Sequence, residues 1–477
     1  MDRRQAADAG LTRTLFETVA SVASDFRSVI SRRLQRPEQT YPDALAAFAQ
    51  PTPETGLAAE EVIRDLVRRA TPGLHASTGP RFFGWVIGAS HPVGVAADWL
   101  TSAWGQNAGN HTASPAAAAA ETVAAGWLLD LLDLPREASV GFVTGATVAN
   151  FVCLAAARGS VLRRAGWDVE RHGLFGAPPI HVLIGDEAHA TVFSALQFLG
   201  LGHDRVVRID TDGQGRMRPD AFARVLDHCH GPTIAITQAG QINTGAFDDH
   251  AAIVPRARAQ GAWVHVDGAF GLWARACPSR ADLAAGIEGA DSWATDGHKW
   301  LQTPYDCGYA IVRDADAHRR AMTSAASYLP VIGEGERDPS HYVPELSRRA
   351  RGFATWAMLN HLGRDGIARM VEEHCRLAQR LAGRLAGEPG LRIVNDVALN
   401  QVIVRFGPDA PAADGDALTL RTIRRIQEDG TLFAGGSQWR GAWVLRLSVI
   451  SGPATEQDID RSADAILAAW RQVRASG

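Results

Sequence analysis

The chain has 477 residues, enough for two or three packed units with large cores. Apolar residues make up 46% and charged residues 21%, and the net charge of −4 gives no reason to expect nucleic acid or an anionic membrane as partner. No apolar run approaches the ~18 residues of a membrane-crossing helix. Met1-Asp2-Arg3-Arg4-Gln5 lacks the apolar core of a secretory signal. The five cysteines (Cys153, Cys229, Cys277, Cys307, Cys375) stand singly with no CxxC, which argues against a disulfide framework and a zinc site and for a reducing cytoplasm.

In chain order, residues 11–70 read as helices. Leu15, Val19, Val22 and Phe26 share one face, and Val62, Ile63, Leu66 and Val67 keep helical spacing. Such an arm must bury its stripe on something, a neighbouring subunit being the natural candidate. Pro115 opens an alanine-rich helix at its first turn. From about Gly141 to Arg313 short β-rich runs (182–184, 205–209, 233–237, 263–266) alternate with helical stretches such as 215–228 and 250–259. That alternation predicts a mainly parallel sheet with helices on both faces, an α/β doubly wound domain. A long helix from Trp356 to Leu385, strand-like runs at 401–405 and 442–447, and a last helix after Glu456 predict a smaller α+β domain. The expected division is a helical arm over 1–85, a large domain over 86–345 and a small domain over 346–477.

The chemistry concentrates at the ends of the predicted strands. The run Trp263-Val264-His265-Val266 ends in Asp267, and 32 residues later Lys299 stands in Asp296-Gly297-His298-Lys299-Trp300. A lysine amine that can bond an aldehyde, with a carboxylate that can hold a pyridine nitrogen protonated, is the pair that pyridoxal 5′-phosphate (PLP) chemistry needs. A lone lysine is usually a solvated charge and a strand-end Asp usually a cap, so the weight rests on the joint pattern. Thr144-Gly145-Ala146-Thr147 opens a helix whose first-turn N–H groups can hold a phosphate. His189, after the strand at 182–184 and two residues before Thr191, is placed to stack on a flat ring. Gln238 to Asp249 is a loop at the same rim.

In this order the motifs resemble the group II PLP-dependent amino acid decarboxylases, the family of the aromatic amino acid, histidine and glutamate decarboxylases, with the fold type I architecture of aspartate aminotransferase. Pro80-Arg81-Phe82-Phe83-Gly84-Trp85, Ala113-Ser114-Pro115-Ala116, Ser347-Arg348-Arg349-Ala350-Arg351 and Leu445-Arg446-Leu447-Ser448-Val449 resemble further family segments. The resemblance implies a seven-stranded, mainly parallel large-domain sheet, PLP as cofactor, no metal, and a homodimer with shared active sites. It makes Lys299 the Schiff-base lysine, Asp267 the pyridinium partner and His189 the stacking residue. Ala269 would lie on the opposite ring face, and Gly145, Ala146, Thr147, Thr191 and His298 would complete the cofactor site. Trp85, Val86 and Ile87, with Asn107 of the second subunit, would form the substrate pocket. Tyr305-Asp306-Cys307 resembles the Phe-Asp-Cys of the aromatic branch.

Two departures stand out. Gly240-Gln241-Ile242 replaces the family's Gly-Thr-Thr, so a hydroxyl near the cofactor's 3-oxygen is missing or replaced by an amide. The family's proton-donating loop tyrosine falls near Pro339, leaving Tyr328 and Tyr342 as candidates, with His189 next. The composition of residues 324–343 reads as a lid. Expected is decarboxylation of an L-amino acid, aromatic or apolar, to an amine. The open alternatives are decarboxylation-dependent oxidation to an aldehyde, another fold type I reaction, and a non-catalytic PLP-binding protein.

Overall fold

In the computed structural model, which describes residues 3–323 and 336–476, a seven-stranded sheet forms from β1 (Ser139–Val143), β2 (His181–Gly185), β3 (Val207–Ile209), β4 (Thr233–Gln238), β5 (Trp263–Asp267), β6 (Ser292–Asp296) and β7 (Gly308–Val312). The order is β1-β7-β6-β5-β4-β2-β3, and β7 alone runs against the others. Every residue of β4, β5, β6 and β7 is buried, as expected where helices cover both faces. This explains why the reading of short apolar runs named β2 to β5 but not β6: Ser292-Trp-Ala-Thr-Asp carries polar residues at buried positions. The predicted helix over 215–228 is confined to Pro219–Leu226, and the predicted strand over 205–209 to 207–209, because 203–205 make a 3₁₀ turn.

The second sheet is antiparallel, in the order β10 (Gly435–Trp439), β11 (Ala442–Ser448), β9 (Gln401–Phe406), β8 (Leu391–Ile393). Arg440 and Gly441 both take positive φ between the paired Trp439 and Ala442, the two-residue hairpin geometry that matches strand twist. The helix Gly352–Leu385 serves two cores. Met358, Ile367 and Val371 pack into the core under the large sheet, and Leu377, Leu381 and Leu385 into the core of the small one.

The arginines of Ser347-Arg348-Arg349-Ala350-Arg351 each tie a different element. Arg348 is buried against Glu121 at 2.6 Å and donates to the carbonyls of Ala108 and Phe142. Arg349 meets Asp98, and Arg351 meets Asp306. Pro80-Arg81-Phe82-Phe83 is stitched to the small sheet: Arg81 reaches Asp458 at 2.7 Å, Phe83 N–H donates to Phe433, and Ser448 N–H donates to Phe83.

Candidate active site

Six strands share one direction, so the C-terminal ends of β1, β2, β4, β5 and β6 meet along one edge, where open α/β sheets bind ligands. Asp267 closes β5 there. It is 5% exposed and takes the Ala269 N–H at 3.3 Å. Burial raises its pKa, and His189 and Lys299 pull the other way, favouring the carboxylate. His189, the N-cap of the helix Ala190–Phe198, is fixed by Thr191, whose hydroxyl lies 2.8 Å from Nδ1 and whose N–H donates to the same nitrogen at 3.3 Å. Burial lowers the His189 pKa, so the ring is neutral at neutral pH and Nδ1 is the acceptor. Thr191 is thereby placed as the residue that orients the imidazole.

Asp296 ends β6, and its Oδ2 lies 2.8 Å from Lys299 Nζ, with the carboxylate 3% and the lysine 15% exposed. His298 accepts the Cys307 N–H on Nδ1 at 3.2 Å, which assigns its proton to Nε2, 3.6 Å from Asp296. Burial lowers its pKa as well. Gly145 caps the helix Ala146–Arg164 with no side-chain cap. A Cβ on Gly145 would stand 2.9 Å from His298 and 3.3 Å from Asp296, and one on Gly308 would stand 2.6 Å from the Gly145 Cα. Glycine at both positions lets the helix N-terminus approach the His298 ring. Ala269 is tied by its carbonyl to the Asp296 N–H at 2.9 Å.

The structure thus brings Asp267, His189, Thr191, Ala269, Asp296, His298, Lys299 and the 145–147 turn to one edge. A buried acid, a neutral ring, an amine and an uncapped helix N-terminus fit the pyridine nitrogen, ring face, aldehyde and phosphate of PLP. Asp296 Oδ1, buried with no hydrogen-bond partner among the described residues, is a further polar atom in this cradle.

Other expectations are placed differently. Gln241 does not offer its amide to a ligand: Oε1 accepts the N–H groups of Asn243 and Thr244, and Nε2 donates to the Glu187 carbonyl. Val86 is fully buried in the large core and cannot line a pocket. Trp85 is 54% exposed, with its ring 5.0 Å from Phe433 and 6.1 Å from His75. Trp85 and Val86 both hold positive φ (52° and 59°), a strained pair of the kind that accumulates at binding sites. Ile87 beside them is partly buried. Asn107 is exposed and accepts the Arg348 N–H.

Tyr342 also lies apart. Its ring packs edge-on against His318 at 5.2 Å with the Arg337 guanidinium 4.4 Å above it, and its carbonyl takes the His318 ring at 2.9 Å. Tyr328 lies outside the described residues. Three groups near the site were given no role by sequence reasoning: Asp296, Tyr305 and Arg446. Only the motif positions of Asp296 and Tyr305 signalled them. Arg446, on β11, helps to lower the His189 pKa and makes no ion pair among the described residues.

Among the described residues no helix is long and apolar enough to cross a membrane, and no cluster of metal-ligating side chains occurs. The chain is 26% identical over 416 residues to the aromatic-L-amino-acid decarboxylase of Bacillus atrophaeus, covering 85% of this chain and 84% of that one. It is 28% identical over 441 residues to that of Sus scrofa, 87% of each, and 27% identical over 421 residues to the phenylacetaldehyde synthase of Arabidopsis thaliana, 83% of each. The fold matches Oryza sativa TDC, crystallised with PLP and tryptamine, at a TM-score of 0.89 and 24% identity over 97% of this chain and 98% of that one. Mouse CSAD matches at 0.87 and 21%, over 98% and 99%. These solved structures establish the PLP fold type I architecture. The pyridoxal-dependent decarboxylase conserved domain matches residues 42–406, more than three quarters of the sequence, so the chain belongs to the pyridoxal-dependent decarboxylases and is a PLP-dependent amino acid decarboxylase.

Proposed function

We propose that this enzyme converts an aromatic L-amino acid to its amine and CO₂, with Lys299 bonding the cofactor aldehyde, Asp267 facing the pyridine nitrogen and His189 stacked on the ring. The observation that carries this reading is the convergence of a buried carboxylate, a neutral imidazole and a lysine amine on one sheet edge. Bound PLP supplies a cationic ring that accepts the electron pair of the breaking bond. Around it the chain's own groups bind and orient. The Gly145-Ala146-Thr147 turn and the Nε2–H of His298 would hold the phosphate. Asp296 positions the Lys299 amine, and Ala269 would lie on the ring face opposite His189.

The aromatic preference is supported by the names of the relatives and by the cluster of Trp85, Phe82, Phe433 and His75. Trp85 and Ile87 serve as pocket residues, and Asn107 contributes from a second copy. A homodimer is supported by exposed apolar side chains on the arm and beside it: Phe16 (60%), Val19, Val22, Trp99, Trp104 and Trp127. The division into arm 1–85, large domain 86–345 and small domain 346–477 and a reducing cytoplasmic setting belong to the same reading. The latter rests on five unpaired thiols.

A second reading, aldehyde formation with dioxygen, is favoured by Pro339 at the tyrosine position and by the packing of Tyr342. Incubating PLP-reconstituted protein with single L-amino acids, with and without oxygen, and quantifying CO₂, amine, aldehyde and peroxide tests both. Equimolar amine and CO₂ from an aromatic substrate is expected. Turnover confined to non-aromatic amino acids would overturn the substrate assignment.

A further inference from the structure

Lys299 is the only lysine in the chain, so chemistry that needs a lysine amine is confined to it. An amine that bonds an aldehyde must first lose a proton, because an ammonium has no electron pair to give the carbonyl carbon. The oxygen it displaces must gain protons to leave as water. Both transfers need a group within hydrogen-bond reach of the amine. Asp296 is the acid paired with Lys299 among the described residues, its Oδ2 2.8 Å from Nζ, with the carboxylate 3% exposed. Its other oxygen, Oδ1, is buried with no hydrogen-bond partner among the described residues. Glycine clears the space in front of that oxygen: a Cβ would stand 3.3 Å from it on Gly145 and 2.9 Å on Gly308. One oxygen holds the amine while the second stays unengaged beside the uncapped start of the helix Ala146–Arg164. The neighbouring groups do not compete for the proton. His298 accepts the Cys307 N–H on Nδ1 and His189 the Thr191 N–H on Nδ1, so each ring carries its own proton on Nε2. Burial pushes up the pKa of Tyr305, stacked on His298, and of Tyr309, whose hydroxyl lies 2.9 Å from Thr355 Oγ1, so both stay protonated phenols. Asp267 takes the Ala269 N–H, and the amine pairs with Asp296 instead.

We propose that Asp296 is a proton shuttle for Lys299: it takes the proton that the ammonium must lose, and hands it to the oxygen that leaves as water when the amine bonds an aldehyde. This goes beyond positioning the amine and rests on the reading of Lys299 as the cofactor lysine. The N–H bond breaks toward Oδ2, and the freed electron pair forms the new N–C bond. The carbonyl oxygen takes a second amine proton and becomes a hydroxyl. The Asp296 carboxyl then protonates that hydroxyl, the C–O bond breaks and water departs. Lysine ammonium and aldehyde give a protonated carbon–nitrogen double bond and water, with charge conserved and no oxidant or reductant consumed.

The test mixes full-length apoprotein with PLP and follows bonding to the lysine by borohydride trapping at timed intervals, with mass spectrometry locating the adduct. Asp296→Asn keeps the shape and a hydrogen-bonding side chain, and its trapping rate should fall by about 10²-fold or more. Asp296→Ala should be as slow. Formate, a carboxylate small enough for the space vacated, should restore the Asp296→Ala rate as its concentration rises and leave wild type unchanged. Affinity for 4-deoxypyridoxine 5′-phosphate, which has the ring and phosphate but no aldehyde, should be the same in wild type and Asp296→Asn. Trapping at the wild-type rate in Asp296→Asn would overturn the shuttle, as would failure of formate to speed Asp296→Ala. So would a loss of analogue affinity in Asp296→Asn as large as its loss of rate, the result a purely structural role gives. Absence of a trapped adduct on Lys299 in wild type would overturn the lysine reading and this proposal with it.

Discussion

The strand-end edge of the large sheet and the N-terminal arm mismatch residue and surroundings in opposite ways. At the strand ends, Asp267, Asp296 and His298 are polar groups buried among apolar strands, where the low dielectric strengthens charge interactions; desolvation raises the pKa of Asp267 and lowers that of His298. On the arm, Phe16, Tyr41, Leu45, Phe48 and Leu66 are apolar groups left in water. In the first region the sheet pays desolvation for chemistry. In the second the free energy is recovered only when another surface covers the stripe. An exposed apolar stripe points to an assembly surface, whereas buried polar groups mark a reaction centre only where several of them converge on one strand-end edge.

The comparison breaks most sharply at Lys299. Lys299→Ala should cut turnover by about 10⁴-fold or more and let the coloured cofactor wash out on gel filtration. Retention of colour and rate would show that another amine serves. Asp267→Asn keeps shape but not charge, and kcat should fall by about 10³-fold with PLP still bound.

A purely structural buried charge should respond in stability instead. Glu121→Gln leaves Arg348 buried and unpaired, and urea unfolding should show a loss of about 3–5 kcal/mol. An unchanged midpoint would mean that Arg348 finds another partner. On the arm, the proposed homodimer predicts that Phe16→Asp should shift sedimentation toward monomer and reduce activity in proportion, whereas an active wild-type monomer would overturn the dimer and an unchanged dimer would place the interface elsewhere.

The smallest effect concerns pH. His318, fully buried between Ser139 and the Tyr342 carbonyl, has its pKa lowered to about 3 by burial. The unfolded chain takes up a proton near the ordinary imidazole value and the folded chain does not, so this contribution to stability falls as pH drops from about 6.5 toward 3. At pH 5 the deficit is about 2 kcal/mol. His318→Gln should flatten the stability profile between pH 6.5 and 5 relative to wild type, and parallel profiles would refute the assignment of that proton.

Much of this was legible in the sequence because it is local. The run of β-branched and aromatic residues ending in Asp267, the Gly-Ala-Thr turn and the Asp-Gly-His-Lys-Trp segment each report a strand end or helix start, and the order of such ends along a parallel sheet fixes which side chains share an edge. What sequence could not show depends on partners far apart in the chain. Gln241 reads as a free amide until the loop closes on it, and Val86 reads as a pocket residue until the core covers it. Tyr342 reads as the loop phenol until His318 and Arg337 enclose its ring. Tyr305 reads as an ordinary variant of a Phe position until the β6–β7 turn lays it on His298. Spacing reports which residues follow one another. Only the packed chain decides which polar atoms are already satisfied and which remain available for chemistry.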